Sequence, residues 1–264
     1  MRHSPSALTV FLSVLVVGVC QAEPKMILKL EYGSSLRFES THAFLSIYND
    51  SDAPLRICGD TVGCAELDFQ IERKRDQWLP RLGKEPLIRN AKLEPGEQRD
   101  IAIDLSRRYN LGGVGRYLVR AVIKHNNRFY MSDKVMLDVV EGIEVAKTVR
   151  GVRGYEDTTR NYSLRYWKRG KHEYLFLTVD DNPTRINQGV FQLGRLLRVD
   201  TPRITVDRKG NVMILHRSSP DCFIRTKFKS DGEGVRFIDQ TYELPSGEPY
   251  PNLRPKSNLA LPKR

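Results

Sequence analysis

The sequence predicts an all-β protein made of a β-sandwich followed by a second, smaller β-rich domain. Three observations carry this. Apolar residues recur with period two rather than 3.6, the runs are short and rich in β-branched and aromatic residues, and clusters of Asp, Asn, Gly and Pro separate them. The chain has 264 residues, 40% of them hydrophobic, and neither Gly nor Pro dominates. That length suits one large domain or two small ones, and the composition excludes collagen-like, coiled-coil and wholly disordered classes.

Residues 1–22 read as a secretory signal. Arg2 and His3 form a short basic start, Ala7 to Val19 an almost uninterrupted apolar run, and Ala22 closes a small-residue cleavage site before Glu23. The run is too short to span a bilayer, and no later segment approaches the length of a spanning helix. Val19 before Cys20, and Val17 where a Leu is usual, argue against a lipid-modified cysteine. The expected location is therefore secreted or periplasmic.

From residue 23 to 145 the expectation is a sandwich. Ile27 to Tyr32, Ala43 to Tyr48, Leu67 to Ile71, Ile101 to Leu105, Tyr117 to Ile123, Arg128 to Met131 and Val135 to Val140 alternate as half-buried strands do. Asn49-Asp50-Ser51-Asp52, Pro95-Gly96-Glu97 and Asn126-Asn127 favour tight reversals between them. Lys74 to Gln77 reads as a hairpin turn, with Trp78 on the return strand as a core or rim aromatic. Seven short strands in about 120 residues match the sandwich pattern.

Leu111 to Ala121, LGGVGRYLVRA, resembles the entry to the sixth strand of fibronectin type III and immunoglobulin-like domains, where a Leu precedes a Tyr by six residues. Leu111, Tyr117, Val119 and Ala121 match; Gly113 and Gly115 depart from the usual Pro and Thr or Ala. The resemblance implies an immunoglobulin-like sandwich in which the Tyr117 phenol hydrogen-bonds upstream backbone while its ring enters the core. It implies no activity, since such domains serve as spacers, adhesive modules or chaperone-like binders.

From residue 146 to 244 a second, basic β-rich domain is expected. Ala146 to Thr159 has no steady period and reads as a linker and first turn. Strands follow at Tyr162 to Trp167, His172 to Val179, Val190 to Val199, Ile204 to Asp207, Val212 to Arg217, Phe223 to Phe228 and Val235 to Tyr242. Asp207 to Asn211 is a Gly-containing hairpin turn, and Phe223 to Gly232 repeats its grammar. The pattern is similar to one β-propeller blade, but the residues after Val145 are too few for a ring of four, so it is read as shared hairpin chemistry. Residues 245–264 hold five of the 14 prolines and read as an extended or disordered tail.

Three cysteines remain beyond the signal. Gly59 to Gly63 is turn-rich, so a Cys58–Cys64 disulfide is expected in an oxidising compartment. No His or second Cys pair stands at zinc spacing, so no metal and no cofactor is expected. Cys222 is left as a buried apolar residue, an intermolecular bridge or a reactive thiol, of which burial is the commonest fate.

Charge is asymmetric. Residues 23–145 carry 19 basic and 19 acidic side chains, whereas residues 146–264 carry 23 and 13, so the excess lies wholly in the second half. Within it, Arg160, Arg165, Trp167, Lys168, Arg169 and Lys171 form the polyanion-binding candidate. Guanidinium groups take phosphate, sulfate or carboxylate in pairs, and flat aromatics stack on sugars or bases. Export argues against nucleic acid, leaving an anionic glycan, an envelope polymer or an acidic protein surface as the expected partner. The alternative is that alternate residues face a core and the arginines form an ordinary solvated face.

Two expectations of different class follow. One is an exported, non-enzymatic binding or structural protein whose basic module contacts an anionic partner. The other is a hydrolase using His216 or Asp180 and Asp181 on loops of the second domain. No catalytic constellation supports the second directly: a His216, Asp221 and Cys222 thiol site and an Asp180-Asp181-Asn182 calcium site are both weaker than strand and turn roles. Asn49 and Asn161 are glycosylation acceptors only on a eukaryotic secretory route.

Overall fold

A computed structural model describes residues 23–251 except 60, 62, 75 and 76. The expected signal at 1–22, most of the expected tail and part of the Lys74 to Gln77 turn lie outside the described residues. The protein is nearly all β. Its first half comprises β1 (Lys25–Leu30), β2 (Ser34–Leu36), β3 (His42–Tyr48), β4 (Leu55–Ile57), β5 (Glu66–Lys74), β6 (Gln77–Trp78), β7 (Ala91–Leu93), β8 (Gln98–Asp104), β9 (Gly115–His125), β10 (Arg128–Met131) and β11 (Val135–Val140). The second half comprises β12 (Ile143–Val152), β13 (Tyr155–Arg169), β14 (His172–Asn182), β15 (Asn187–Arg195), β16 (Arg203–Val206), β17 (Asn211–Ser219), β18 (Cys222–Asp231) and β19 (Gly234–Glu243).

In the first half, a sheet of order β1-β3-β8 faces one of order β2-β11-β9-β5-β6, with β10 also on β9. Alternation decides what each strand buries. Leu28, Leu45 and Ile47 from the first sheet meet Phe69, Ile71, Val119, Ala121, Ile123 and Leu137 from the second in one apolar cluster. At Gly33 the chain leaves the first sheet, and β2 then runs parallel to β11. Asn126 and Asn127 both adopt positive φ, which closes the β9–β10 hairpin as their short polar side chains allow. The Tyr117 hydroxyl donates to the Gly113 carbonyl at 2.6 Å while its ring is 1% exposed. Cys58 and Cys64 are disulfide-bonded, with Cα atoms 5.6 Å apart.

The second half is two four-stranded antiparallel meanders, β12-β13-β14-β15 and β16-β17-β18-β19. Tyr162, Leu164, Leu175, Leu177 and Val179 of the first pack against Val212, Ile214 and Phe228 of the second. The β16–β17 turn is held by the Asp207 carboxylate, which accepts from the Lys209 and Asn211 amides, both at 2.8 Å. Gly210 is required there: its φ is +77°, and a Cβ would stand 2.0 Å from the Ser230 carbonyl oxygen.

Two expectations are corrected. Residues 146–159 are not a linker: 143–152 form β12, paired along β13 with register shifts at Glu144/Ala146 and Gly151/Val152. Each shift breaks the two-residue period, which is why the stretch reads as irregular. Residues 245–250, expected in the disordered tail, turn back on β19 through Leu244 N–H to Glu248 O (2.7 Å) and Tyr250 N–H to Tyr242 O (2.8 Å). Proline cannot donate to a ladder but is tolerated in such an edge turn, where the residues between the prolines supply the bonds.

Candidate functional site

The expected binding stretch lies on β13, and strand alternation divides it between two faces. Arg160 shares the inward face with Tyr162 and Leu164; Arg165, Trp167 and Arg169 share the other. The two faces meet different surroundings, so the six candidate residues do not form one exposed patch.

Arg160 is 1% exposed, and its guanidinium is consumed internally. It grips Asp181 of β14 in bidentate fashion (2.6 and 3.0 Å), then reaches the opposite sheet at Ser230 Oγ (2.9 Å) and the carbonyls of Asp231 (2.8 Å) and Gly234 (3.1 Å). Gln188 donates to the same Asp181 carboxylate at 2.5 Å, and the Tyr162 and Ser230 hydroxyls are 2.6 Å apart. Burial works against the Arg160 charge, but the Asp181 carboxylate outweighs it and holds the group protonated. The same burial pushes the Tyr162 phenol up. Arg160 is a staple between the two meanders and leaves the ligand-binding set.

Arg165, Trp167 and Arg169 face the first half of the chain. Arg165 donates to the Glu141 carbonyl (3.1 Å) and to Glu144 (3.0 Å). The Trp167 indole donates to Ser34 Oγ at 3.1 Å. Arg169 is buried, ion-paired with Glu39, bonded to Gln192 Oε1 at 2.8 Å, and stacked under Tyr32 (4.3 Å) and on Phe176 (4.9 Å). Burial pushes the Glu39 carboxyl above the usual range, and Arg169 and the Leu36 amide oppose that shift. The chain passes between the halves at Gly142, whose φ is +69° and where a Cβ would stand 2.6 Å from Leu36 and 3.2 Å from the Tyr166 carbonyl oxygen. Much of the basic stretch therefore fastens the two halves together. Lys168 and Lys171 stay exposed, and neither forms an ion pair among the described residues.

Two concavities flank this seam. The larger, about 800 Å³, is lined by Tyr32, Arg116, Asp138, Trp167, Lys168 and the stacked Arg169, with Gly33, Gly115 and Gly170 leaving its walls bare of side chains. Tyr32 is 41% exposed, and Arg116 pairs with Asp138 at 3.0 Å. Three of the expected residues thus converge here, together with Tyr32 and Arg116, whose place in the groove has no local sequence signal. The smaller concavity, about 370 Å³, lies at the other end of the seam. Arg165 lines it along with Phe38, Asn161, Asp180, Arg185 and Asn187.

The residues considered for catalysis do not assemble. Asp180 and Asp181 both line the smaller concavity, but the Asp181 carboxylate is committed to Arg160 in a buried bidentate pair, so the two do not act as a carboxylate pair. His216 is 2% exposed in the second meander, and burial lowers its imidazole to about 4, the Arg195 backbone offsetting a small part. Cys222 is buried opposite Ser219, whereas His216 stands opposite Ile224, and Asp221 is exposed on the turn.

No protein-family model matches the chain, and no curated protein matches it either.

Proposed function

We propose that this is an exported, non-enzymatic binding protein, an immunoglobulin-like sandwich joined to a smaller basic β domain, whose seam groove takes an anionic polysaccharide. The observation that carries the reading is the meeting, in one groove of about 800 Å³, of the Tyr32 and Trp167 rings with the unpaired Lys168 around glycine walls, with the exposed Lys171 next in the chain to the lining Gly170. Rings stack on the C–H faces of sugars, cations take carboxylate or sulfate, and bare glycine walls let a polymer lie close to backbone. The two apolar clusters support the two-domain division, the Tyr117 to Gly113 bond supports the immunoglobulin-like assignment, and the disulfide is compatible with export.

Binding to immobilised heparin and alginate, with neutral dextran as control, tests the proposal. With the two lysines engaged, affinity should fall about 10- to 20-fold between 0.1 and 0.5 M salt. A Lys168→Glu, Lys171→Glu double variant should abolish it, because these cations carry no internal load. Substituting Arg160, Arg165 or Arg169 would instead disturb packing and test nothing about the ligand. Salt-independent binding, or full binding by the double variant, would overturn the proposal.

A further inference from the structure

The smaller concavity has a different chemistry from the groove, and it carries an inference that does not depend on the polyanion reading. Asn161, Asp180 and Asn187 stand in one cross-strand row over β13, β14 and β15, all on the face of the meander that is turned away from its core. Asn187 donates to Asp180 Oδ1 at 3.0 Å and so orients the carboxylate. Among the described residues, the Asn161 and Asn182 amides and the Arg185 guanidinium make no side-chain hydrogen bond, which leaves donors and acceptors facing one space. Phe38 stands at the rim, 41% exposed, with the Arg37 guanidinium 4.6 Å from its ring.

Charge and backbone narrow the ligand. Arg37 pairs with Glu141 at 3.1 Å, and Arg165 with Glu141 and Glu144, so these cations are already neutralised. The Asp180 carboxylate would repel an anion. Glu141 and Asp181 also line the concavity, but their carboxylates are engaged by Arg37, Arg165 and Arg160, and the one left over is too few to hold calcium. Phe38 and Arg185 both adopt positive φ, +65° and +55°, and both line this concavity. Both lie in or beside turns, and this sparsely populated backbone fixes where the two residues stand at the rim.

We propose that this concavity is a saccharide site for a neutral pyranose, in which Asp180 accepts from one hydroxyl, the Asn161 amide and the Asn187 Oδ1 bridge its neighbour, and Phe38 covers a C–H face. Carboxylate and amide pairs match vicinal hydroxyls because each hydroxyl both donates and accepts, and an aromatic rim excludes water from the apolar side of the ring. The site is separate from the polyanion groove and is expected to act independently of salt.

The test is ligand-observed NMR and calorimetry on the full chain at about 0.15 M salt, using glucose, galactose, mannose, N-acetylglucosamine and their β-linked disaccharides as probes. At least one probe should bind. Asp180→Asn, which preserves shape, and Asn161→Ala should each weaken it about tenfold or more. Lys168→Glu, Lys171→Glu should leave it unchanged, so failure here and failure of the polyanion reading are distinguishable. No binding by any probe, or undiminished binding by both single variants with native circular dichroism, would overturn the proposal. Phe38→Ala gives a second readout: weaker binding supports the platform role, and unchanged binding removes it.

Discussion

Removing the Arg160 guanidinium should destabilise the second half more than any surface change of equal size. Arg160→Met keeps most of the apolar stem but deletes five hydrogen bonds: two to Asp181, one to Ser230 and two to the carbonyls of Asp231 and Gly234. Asp181, 7% exposed, then keeps a buried charge with, among the described residues, Gln188 as its one remaining side-chain donor. Breaking a buried pair on one side costs about 3–5 kcal/mol, mostly from the charge left behind. Water reaching the partly exposed Asp231 end of the site offsets some of the carbonyl loss, so the lower half of that range is expected. Urea unfolding followed through Trp167 on β13 reads the effect directly, with Trp78 on β6 reporting the other half. Asp181→Leu in the Arg160→Met background should recover part of the loss, since two apolar groups replace a severed ion pair. A cost for Arg160→Met below about 1 kcal/mol, or strict additivity in this cycle, would refute the account of Arg160 as a buried staple.

Two other perturbations follow from buried groups. His216 is held neutral down to about 4 from an ordinary value of 6.5, so its full contribution is present above 6.5 and is lost as pH falls towards 4, where the unfolded chain binds a proton that the folded chain refuses. At pH 4.5 that difference is worth about 2–3 kcal/mol. Relative to His216→Leu, wild-type urea midpoints should therefore fall more steeply from pH 7 to 4.5, and parallel profiles would rule the effect out. Replacing Cys58 and Cys64, six residues apart, with serine releases a short loop and should cost about 2 kcal/mol by chain entropy, measured as a lower thermal midpoint. An unchanged midpoint would mean that the β4–β7 region is already constrained without the bond.

How far the sequence foretold this arrangement depends on the range of the interaction. Strand positions and the Asn126-Asn127 turn follow from neighbours two to four residues apart, so alternation and turn chemistry locate them. The β12 strand escapes because its bulges break the period that would mark it. Arg160 and Arg169 escape for a different reason. Arginine is usually at the surface, and the partners that bring these two inside lie 21 and 130 residues away. A local signal did exist for the first: Arg160, Tyr162 and Leu164 alternate in phase, as do Leu175, Leu177, Val179 and Asp181 on the facing strand, so parity alone assigns both charges to one core face. No such signal exists for Glu39, whose meeting with Arg169 depends on how the two halves pack.

The charge asymmetry takes on a different meaning once the side chains are placed. Of the 23 basic residues after residue 145, Arg254, Lys256, Lys263 and Arg264 lie outside the described residues, while Arg160, Arg165 and Arg169 are engaged within the fold. Net charge counts all seven equally, but a buried guanidinium matched by a carboxylate adds almost nothing to the outward field. The potential met by a partner therefore depends on which cations lack a matching carboxylate. Along the seam, Lys168 and Lys171 are exposed and unpaired among the described residues, whereas Arg116, Arg165 and Arg169 are matched. A short dense run of arginine and aromatic residues on a strand can hold the two halves of a chain together, leaving the outward field to the few cations that the packing does not use.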